Sequence, residues 1–345
     1  MRESIFLASI RSFFLAFFGI IGFIIGIVVI LIIIGALSET TDGQPEINYT
    51  YTPEIKPNAS GIRKSLSSDA PVILKLNIDG IIGTELLNSK TIRQKLIESG
   101  ERSLKNRVKA ILLFIDSPGG SAIDSDAIYR LIKDYKETHK IPVYAYVNGL
   151  CASGGMYIAS SADKIFASDV SLIGSVGVIL STAVNVSQLM DKLGIQSLTL
   201  YDGKGKDNLN PFRPWRKGEE DNIKEAINAL YNRFVDVVAE NRPNLDKTKL
   251  VEDYGADVFP AAKAKELGYI DDNGYDLNRT LKELAEKIGI TDEYYQVIAL
   301  ESKNWLTQLF TSENQLLKGK ITHRLELTPE MQVGLKDPYM YLYRP

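Results

Sequence analysis

Val108-Lys-Ala-Ile-Leu-Leu-Phe-Ile-Asp-Ser-Pro-Gly-Gly-Ser121 is a near-continuous apolar run closed by a glycine turn. Such a run reads as a strand covered on both faces, as in a parallel sheet. Beyond the turn, Ile123, Ala127, Leu131 and Tyr135 recur at helical spacing, joined by Ile128 and Ile132. A buried strand, a tight turn and an amphipathic helix in that order make one βα unit. The alternation continues on both sides. Strands are expected at Val72–Ile78, Val143–Val147, Lys164–Ala167, Val176–Leu180 and Ser197–Tyr201. A helix is expected after Ser153, and a long one from Glu219 to Glu240, with Ile223, Ile227, Leu230, Phe234 and Val238 on one stripe. This order predicts an α/β domain with a mainly parallel sheet and right-handed crossovers.

The flanks differ in kind. From Ser12 to Ser38 no residue is charged. That exceeds the roughly 20 apolar residues that span a bilayer core and the roughly 7–15 of a signal-peptide core. Residues 1–38 are therefore expected to be a cytoplasmic stub and transmembrane anchor. Arg2 and Arg11 precede the run, and Glu39 and Asp42 follow it. The positive-inside tendency then puts the N-terminus in the cytoplasm and the rest outside. Residues 39–70 are polar, with Pro45, Pro53 and Pro57, and read as a flexible linker. Residues 71–290 form the expected globular domain. Residues 291–345 are a C-terminal extension ending in the aromatic stretch Pro338-Tyr-Met-Tyr-Leu-Tyr-Arg-Pro345.

Composition removes several functions. A net charge of -3 gives no basic footprint for nucleic acid. With the single cysteine Cys151, no intramolecular disulfide or cysteine-based zinc site can form. No metal-ligand cluster or cofactor fingerprint is visible, so no metal and no cofactor are expected. The two histidines, His139 and His323, are poorly placed. His139 falls at the wrong end of the sheet, and His323 in the tail.

What remains is a set of small turns. Asp116-Ser-Pro-Gly-Gly-Ser121 follows one buried strand, and Ala152-Ser-Gly-Gly155 follows another. Ligands in open α/β sheets bind at such carboxyl ends. A serine at a helix start, with glycine N–H groups nearby, has a hydroxyl to react and donors for an oxyanion. A serine nucleophile needs a base. A lysine can serve where burial in a dry pocket keeps its amine neutral. Lys204 and Lys206, in Asp202-Gly-Lys-Gly-Lys-Asp207, are the candidates. Ser161-Ala-Asp-Lys164 matches S-x-x-K but lacks the companion motifs of penicillin-binding enzymes, and reads as a helix end.

Taken together, Phe114-Ile-Asp-Ser-Pro-Gly-Gly120, Ala152-Ser-Gly-Gly155, Ala162-Asp-Lys-Ile-Phe-Ala167, Ile173-Gly-Ser-Val-Gly-Val178 and Ala264-Lys-Glu-Leu-Gly-Tyr-Ile-Asp271 resemble the signal peptide peptidase A family of serine proteases. The resemblance covers about 70–290 and the anchor. It implies a crotonase/ClpP-like fold and a Ser–Lys dyad, with Ser153 as nucleophile and Lys206 as general base, Lys204 being the reserve. It implies that Ser175 positions the lysine and that the Gly120 and Gly154 N–H groups form the oxyanion hole. It further implies a ring-like homo-oligomer, in which serine and lysine come from one subunit or from two, and apolar signal-peptide-like substrates at the membrane. The alternatives are a related protease acting on membrane proteins and an inactive oligomeric membrane scaffold. Met156 stands where the family usually has an aromatic residue, and Cys151 where a small one is usual. Both are expected near the substrate pocket.

Overall fold

The computed structural model describes residues 51–302 and 339–342, with scattered positions between 14 and 27. Residues 1–50 and 51–345 are separate units, and the second carries the site. The expected membrane anchor lies largely outside the described residues. Among those described, no helix is long and apolar enough to cross a membrane.

The second unit is built on an eight-stranded sheet. Its strands are β1 (Tyr51–Lys56), β2 (Val72–Asp79), β3 (Val108–Ser117), β5 (Val143–Ala152), β6 (Lys164–Ala167), β7 (Leu172–Gly174), β9 (Val258–Pro260) and β10 (Gln296–Ser302). Their order is β1-β10-β2-β3-β5-β7-β9, with β6 also paired to β5. The pairs from β10 through β2, β3 and β5 to β6 and β7 are parallel, and only the outer strands β1 and β9 run antiparallel. The mainly parallel α/β expectation therefore holds. Stretches read from sequence as linker and extension supply sheet strands: β1 pairs with β10, and β10 continues the parallel core. A second, three-stranded sheet holds β4 (Gly119–Ser121), β8 (Ile179–Leu180) and β11 (Tyr339–Leu342).

The main helices are α1 (Ser89–Ser99), α2 (Ala122–His139), α3 (Gly154–Ala159), α4 (Ser187–Leu193), α5 (Asp221–Asn241), α6 (Ala261–Leu267) and α7 (Leu277–Lys287). The start of α2 is set locally, because the Ser121 side chain accepts from the Asp124 N–H. One face of the sheet packs Ile73, Leu112, Tyr144, Tyr146 and Phe166 against Leu281 and Leu284 of α7. Phe166 stacks on Tyr275 at 4.1 Å, and Arg279 covers the far face of that ring. The other face is closed by α2 and α3, which pack together beside β3 and β5.

Ser197–Tyr201, expected as a strand, is irregular. Among the described residues no strand pairs with it, and Leu198 and Leu200 are 83% and 84% exposed. Alternation alone cannot make a strand where the chain offers no neighbour to pair with. Val176–Leu180 likewise shortens to β8. The Ser161–Lys164 stretch is a helix end, with Ser161 donating to the Ile158 carbonyl at 2.7 Å.

One buried charge ties three segments together. The Arg242 guanidinium bonds Asp271 Oδ2 at 2.7 Å and the Ala162 carbonyl at 3.2 Å. That carboxylate oxygen also accepts from the Ile165 N–H at 2.8 Å. Arg242→Ala leaves a partly buried carboxylate without its partner and a void at the end of α5. The expected loss is about 3 kcal/mol, the lower end for a broken buried pair because Asp271 is partly exposed. Urea unfolding of both proteins measures it.

Candidate active site

β5 delivers its last residue, Ala152, to the carboxyl edge of the sheet, and α3 begins two residues later. Ser153 sits between them with φ 54° and ψ -118°, a conformation that L residues adopt only when the surroundings impose it. Those surroundings are on both sides. The Ser153 N–H donates to the Gly174 carbonyl at 2.9 Å, extending the β5·β7 ladder by one rung. Its carbonyl accepts from the Tyr157 N–H at 3.0 Å, the first turn of α3. Tyr157 in turn donates its hydroxyl to Asp126 at 2.7 Å and meets Tyr129 edge-on, which pins α3 to α2. Ser153 is 1% exposed.

The Asp-Ser-Pro-Gly-Gly turn is braced from inside. Ser117 Oγ donates to the Gly80 carbonyl at 2.6 Å and accepts from the Gly119 N–H at 3.1 Å. Ile82 then clamps β4, its N–H donating to the Gly119 carbonyl and its carbonyl accepting from the Ser121 N–H, both at 2.9 Å. Because backbone polar groups alternate along a strand, the Gly120 N–H and C=O face the other way, toward β11. Only glycine fits here: φ is +153°, and a Cβ would lie 2.0 Å from the Ile82 carbonyl oxygen. β4 lies against α3, so the Gly120 and Gly154 amides share one end of the sheet with Ser153.

Ser175 is brought to the same place. It follows Gly174, the residue that accepts from Ser153, and its own N–H donates to the Asp257 carbonyl at 2.7 Å. It is buried, with φ 55°. Just beyond it, a cleft of 420 Å³ is lined by Val176, Gly177, Val178, Ile227, Tyr231 and Ala256, with Lys224 at its side. Cys151 and Met156 lie in the interior of the chain. Both are fully buried, Cys151 between Ser117 and Ile173 in the sheet.

The lysines are placed differently. Lys204 and Lys206 are exposed on the turn Gly203–Asn208. Among the described residues no hydrogen bond or ion pair joins Lys206 to Ser153. The turn itself is well anchored. Asp207 pairs with Arg213 at 2.5 Å and Arg216 at 3.6 Å, while Glu219 pairs with the same two arginines at 2.7 and 2.9 Å. The hydrogen bond from Arg213 holds the Asp207 carboxyl below the usual carboxylate range. Sequence reading missed this network, although two arginines spaced between two acids were its visible trace. The segment that carries the turn displays Val184, Leu189, Leu193, Ile195, Leu198 and Leu200 to solvent. His139 is exposed at the opposite end of the sheet, and His323 lies outside the described residues. Among the described residues no group of three or more His, Cys, Asp or Glu is placed to hold a metal.

The buried, strained Ser153 beside a glycine strand lies on a Clp-protease-like α/β fold, and the Clp protease family model matches residues 90–173. The model described as Peptidase family S49 matches residues 135–302. A protein of Enterococcus faecium named "Putative signal peptide peptidase SppA" is 31% identical over 284 residues, covering 79% of this chain and 80% of that one. "Serine protease SPPA, chloroplastic" of Arabidopsis thaliana is 33% identical over 59% of this chain and 29% of its own. "Protease 4" of Haemophilus influenzae is 30% identical over 57% and 31%. The chain belongs to peptidase family S49, the signal peptide peptidase A family of serine proteases.

Burial pushes the Cys151 thiol far up from its ordinary value, and only the thiolate reacts. Native protein treated with a thiol reagent near pH 8 is therefore expected to show no reaction. The same protein in denaturant should release one equivalent, matching the single cysteine. Rapid reaction of the folded chain would contradict the burial.

Proposed function

We propose that the chain is a membrane-anchored endopeptidase that cleaves remnant signal peptides and similar apolar peptides with a Ser153–Lys206 dyad. The observation that carries this reading is the imposed conformation of Ser153 beside the outward-facing Gly120 amide, in a chain of family S49. In the proposed step, the neutral Lys206 amine takes the proton of Ser153 Oγ as the oxygen attacks a peptide carbonyl. The Gly120 and Gly154 N–H groups hold the tetrahedral oxyanion, each such donor being worth on the order of 10²–10³ in rate. Lys206 then protonates the leaving amine, and water hydrolyses the acyl-enzyme. Ser175, adjacent to Ser153, orients the amine. The apolar cleft beyond Ser175 suits apolar side chains. The anchor expected over residues 1–38 holds the enzyme where such peptides accumulate, on the outer side of the cytoplasmic membrane.

Lys206 reaches its partner through assembly. In one chain it is exposed, on a well-braced turn, within a segment whose leucines are uncovered. Exposed apolar surface of this kind fits a protein contact. A ring-like homo-oligomer would cover it and bring the lysine of one copy to the serine of the next.

Ser153→Ala is expected to abolish peptide hydrolysis, by on the order of 10⁴–10⁶-fold, while the protein stays folded. Lys206→Ala should do the same, whereas Lys204→Ala should keep wild-type turnover. Mixing Ser153→Ala with Lys206→Ala chains should restore part of the activity, since intact sites form at mixed contacts. Full activity in Lys206→Ala would remove that residue as base. Failure of the mixture to recover would place the dyad within one chain.

A further inference from the structure

The turn that carries Lys206 is bound at its next residue. The Asp207 side chain is 6% exposed and takes Arg213 Nε at 2.5 Å, Asn210 Nδ2 at 2.6 Å and Arg216 at 3.6 Å. Arg213 also donates to the Asp207 carbonyl. Glu219, 5% exposed, completes the cluster, because the same two arginines reach it at 2.7 and 2.9 Å. Glu219 further accepts from the Leu209 N–H at 3.0 Å, three residues beyond Lys206. Leu209 has φ 56°, a left-handed conformation that a residue with a side chain keeps only when its surroundings impose it. Buried ion pairs thus fix the backbone on the far side of the lysine, while the lysine itself is exposed.

Charge gives the cluster a second consequence. A base must be neutral to accept a proton, and a nearby carboxylate favours the charged ammonium. Asp207 is the residue next to Lys206, and Glu219 belongs to the same cluster. Left bare, these carboxylates would hold the amine protonated. Two guanidiniums on two carboxylates sum to zero. The surrounding charges balance as well. Asp202 and Lys204 lie on the turn with opposite signs, as do Lys217 and Asp221 beside the cluster and Asp191 and Lys192 on α4. Glu220 pairs with Lys224 at 3.0 Å where α5 begins. Arg216 also bonds the Tyr201 hydroxyl, which is neutral. At the serine end, Lys224 beside the cleft is answered by Glu220, and Asp257 follows the lining residue Ala256. Among the described residues no carboxylate pairs with Lys206.

We propose that Arg213 and Arg216 are positioning residues for the Lys206 base: they lock its turn and mask the two carboxylates that would otherwise keep its amine charged. The role rests on Lys206 being the base, and the test separates the two claims. With the turn locked and neutral, burial at the contact between copies favours the uncharged amine, and no bare carboxylate of the cluster opposes it.

The test records the acid limb of kcat/KM for peptide hydrolysis by the full-length protein at low ionic strength, where charges are least screened. The variants are Arg213→Gln, Arg216→Gln, Asp207→Asn, Arg213→Gln combined with Asp207→Asn, and Lys206→Ala. Loss of either arginine leaves one carboxylate bare, so the limb should move to higher pH by at least about half a unit. Asp207→Asn leaves one guanidinium in excess, so the limb should move to lower pH by a similar amount. The double variant is neutral again and should return the limb to its wild-type position, even at a lower rate. Arg216 is mostly exposed, so Arg216→Gln gives the reading if Arg213→Gln fails to fold; circular dichroism checks each chain. A purely structural role would lower the rate without opposed shifts. Limbs that stay in place, or all move one way, beside an inactive Lys206→Ala overturn the masking role and leave the base assignment standing. A Lys206→Ala chain that still hydrolyses peptides overturns both.

Discussion

The hydrogen bond from the Ser153 N–H to the Gly174 carbonyl joins two parallel strands one residue beyond their ordinary ends. It holds a serine in a backbone region that costs on the order of 1–3 kcal/mol. Much of the local architecture follows from keeping that residue there. α3 must start at once, and does, with its first turn closing on the Ser153 carbonyl. β7 must arrive at the right height, and Asp257 fixes it by accepting from the Ser175 N–H. The strain is tolerable because Ser153 is packed on every side by elements that the hydrophobic sheet already positions.

The same sheet positions the glycine strand. β3 and β5 pair through Ser117 and Cys151, so the two glycine turns leave adjacent strands side by side. Ser117 and Ile82 then rotate β4 until one amide faces outward. Nothing here depends on a loop finding its own shape. Ser117 and Ile82 hold the neighbouring polar groups of the turn, and Gly120 is paired with Tyr341 of β11.

Much of this was legible in the sequence. The apolar run Val108–Ile115, the stripe on α2 and the glycine turns reported strand, helix and strand end directly, because their periodicity reflects burial within one chain. Ser153, Gly120, Gly154 and Ser175 share one end of the sheet. Ser197–Tyr201 failed for a physical reason: its alternating leucines face solvent, and periodicity does not say whether a partner covers them. The Asp207–Arg213–Glu219–Arg216 network was hidden because charge pairing depends on how a loop folds. β1 was hidden because Pro53 and low hydrophobicity made an edge strand resemble a linker. The gap between Lys206 and Ser153 is of another kind. Under the proposed assembly it follows from the lysine acting on a neighbouring copy, which one chain cannot place.

The proposed function sets a neighbour's lysine and a substrate peptide beside one buried hydroxyl. Both rest on that hydroxyl being the reactive group. The most direct measurement is labelling of the assembled protein with a fluorophosphonate, followed by peptide mapping in a mass spectrometer. The account predicts one phosphonyl adduct per chain, on Ser153, and none on Lys206→Ala chains measured alone. An adduct on another residue, or an unlabelled Ser153 in a preparation that hydrolyses peptides, would contradict it.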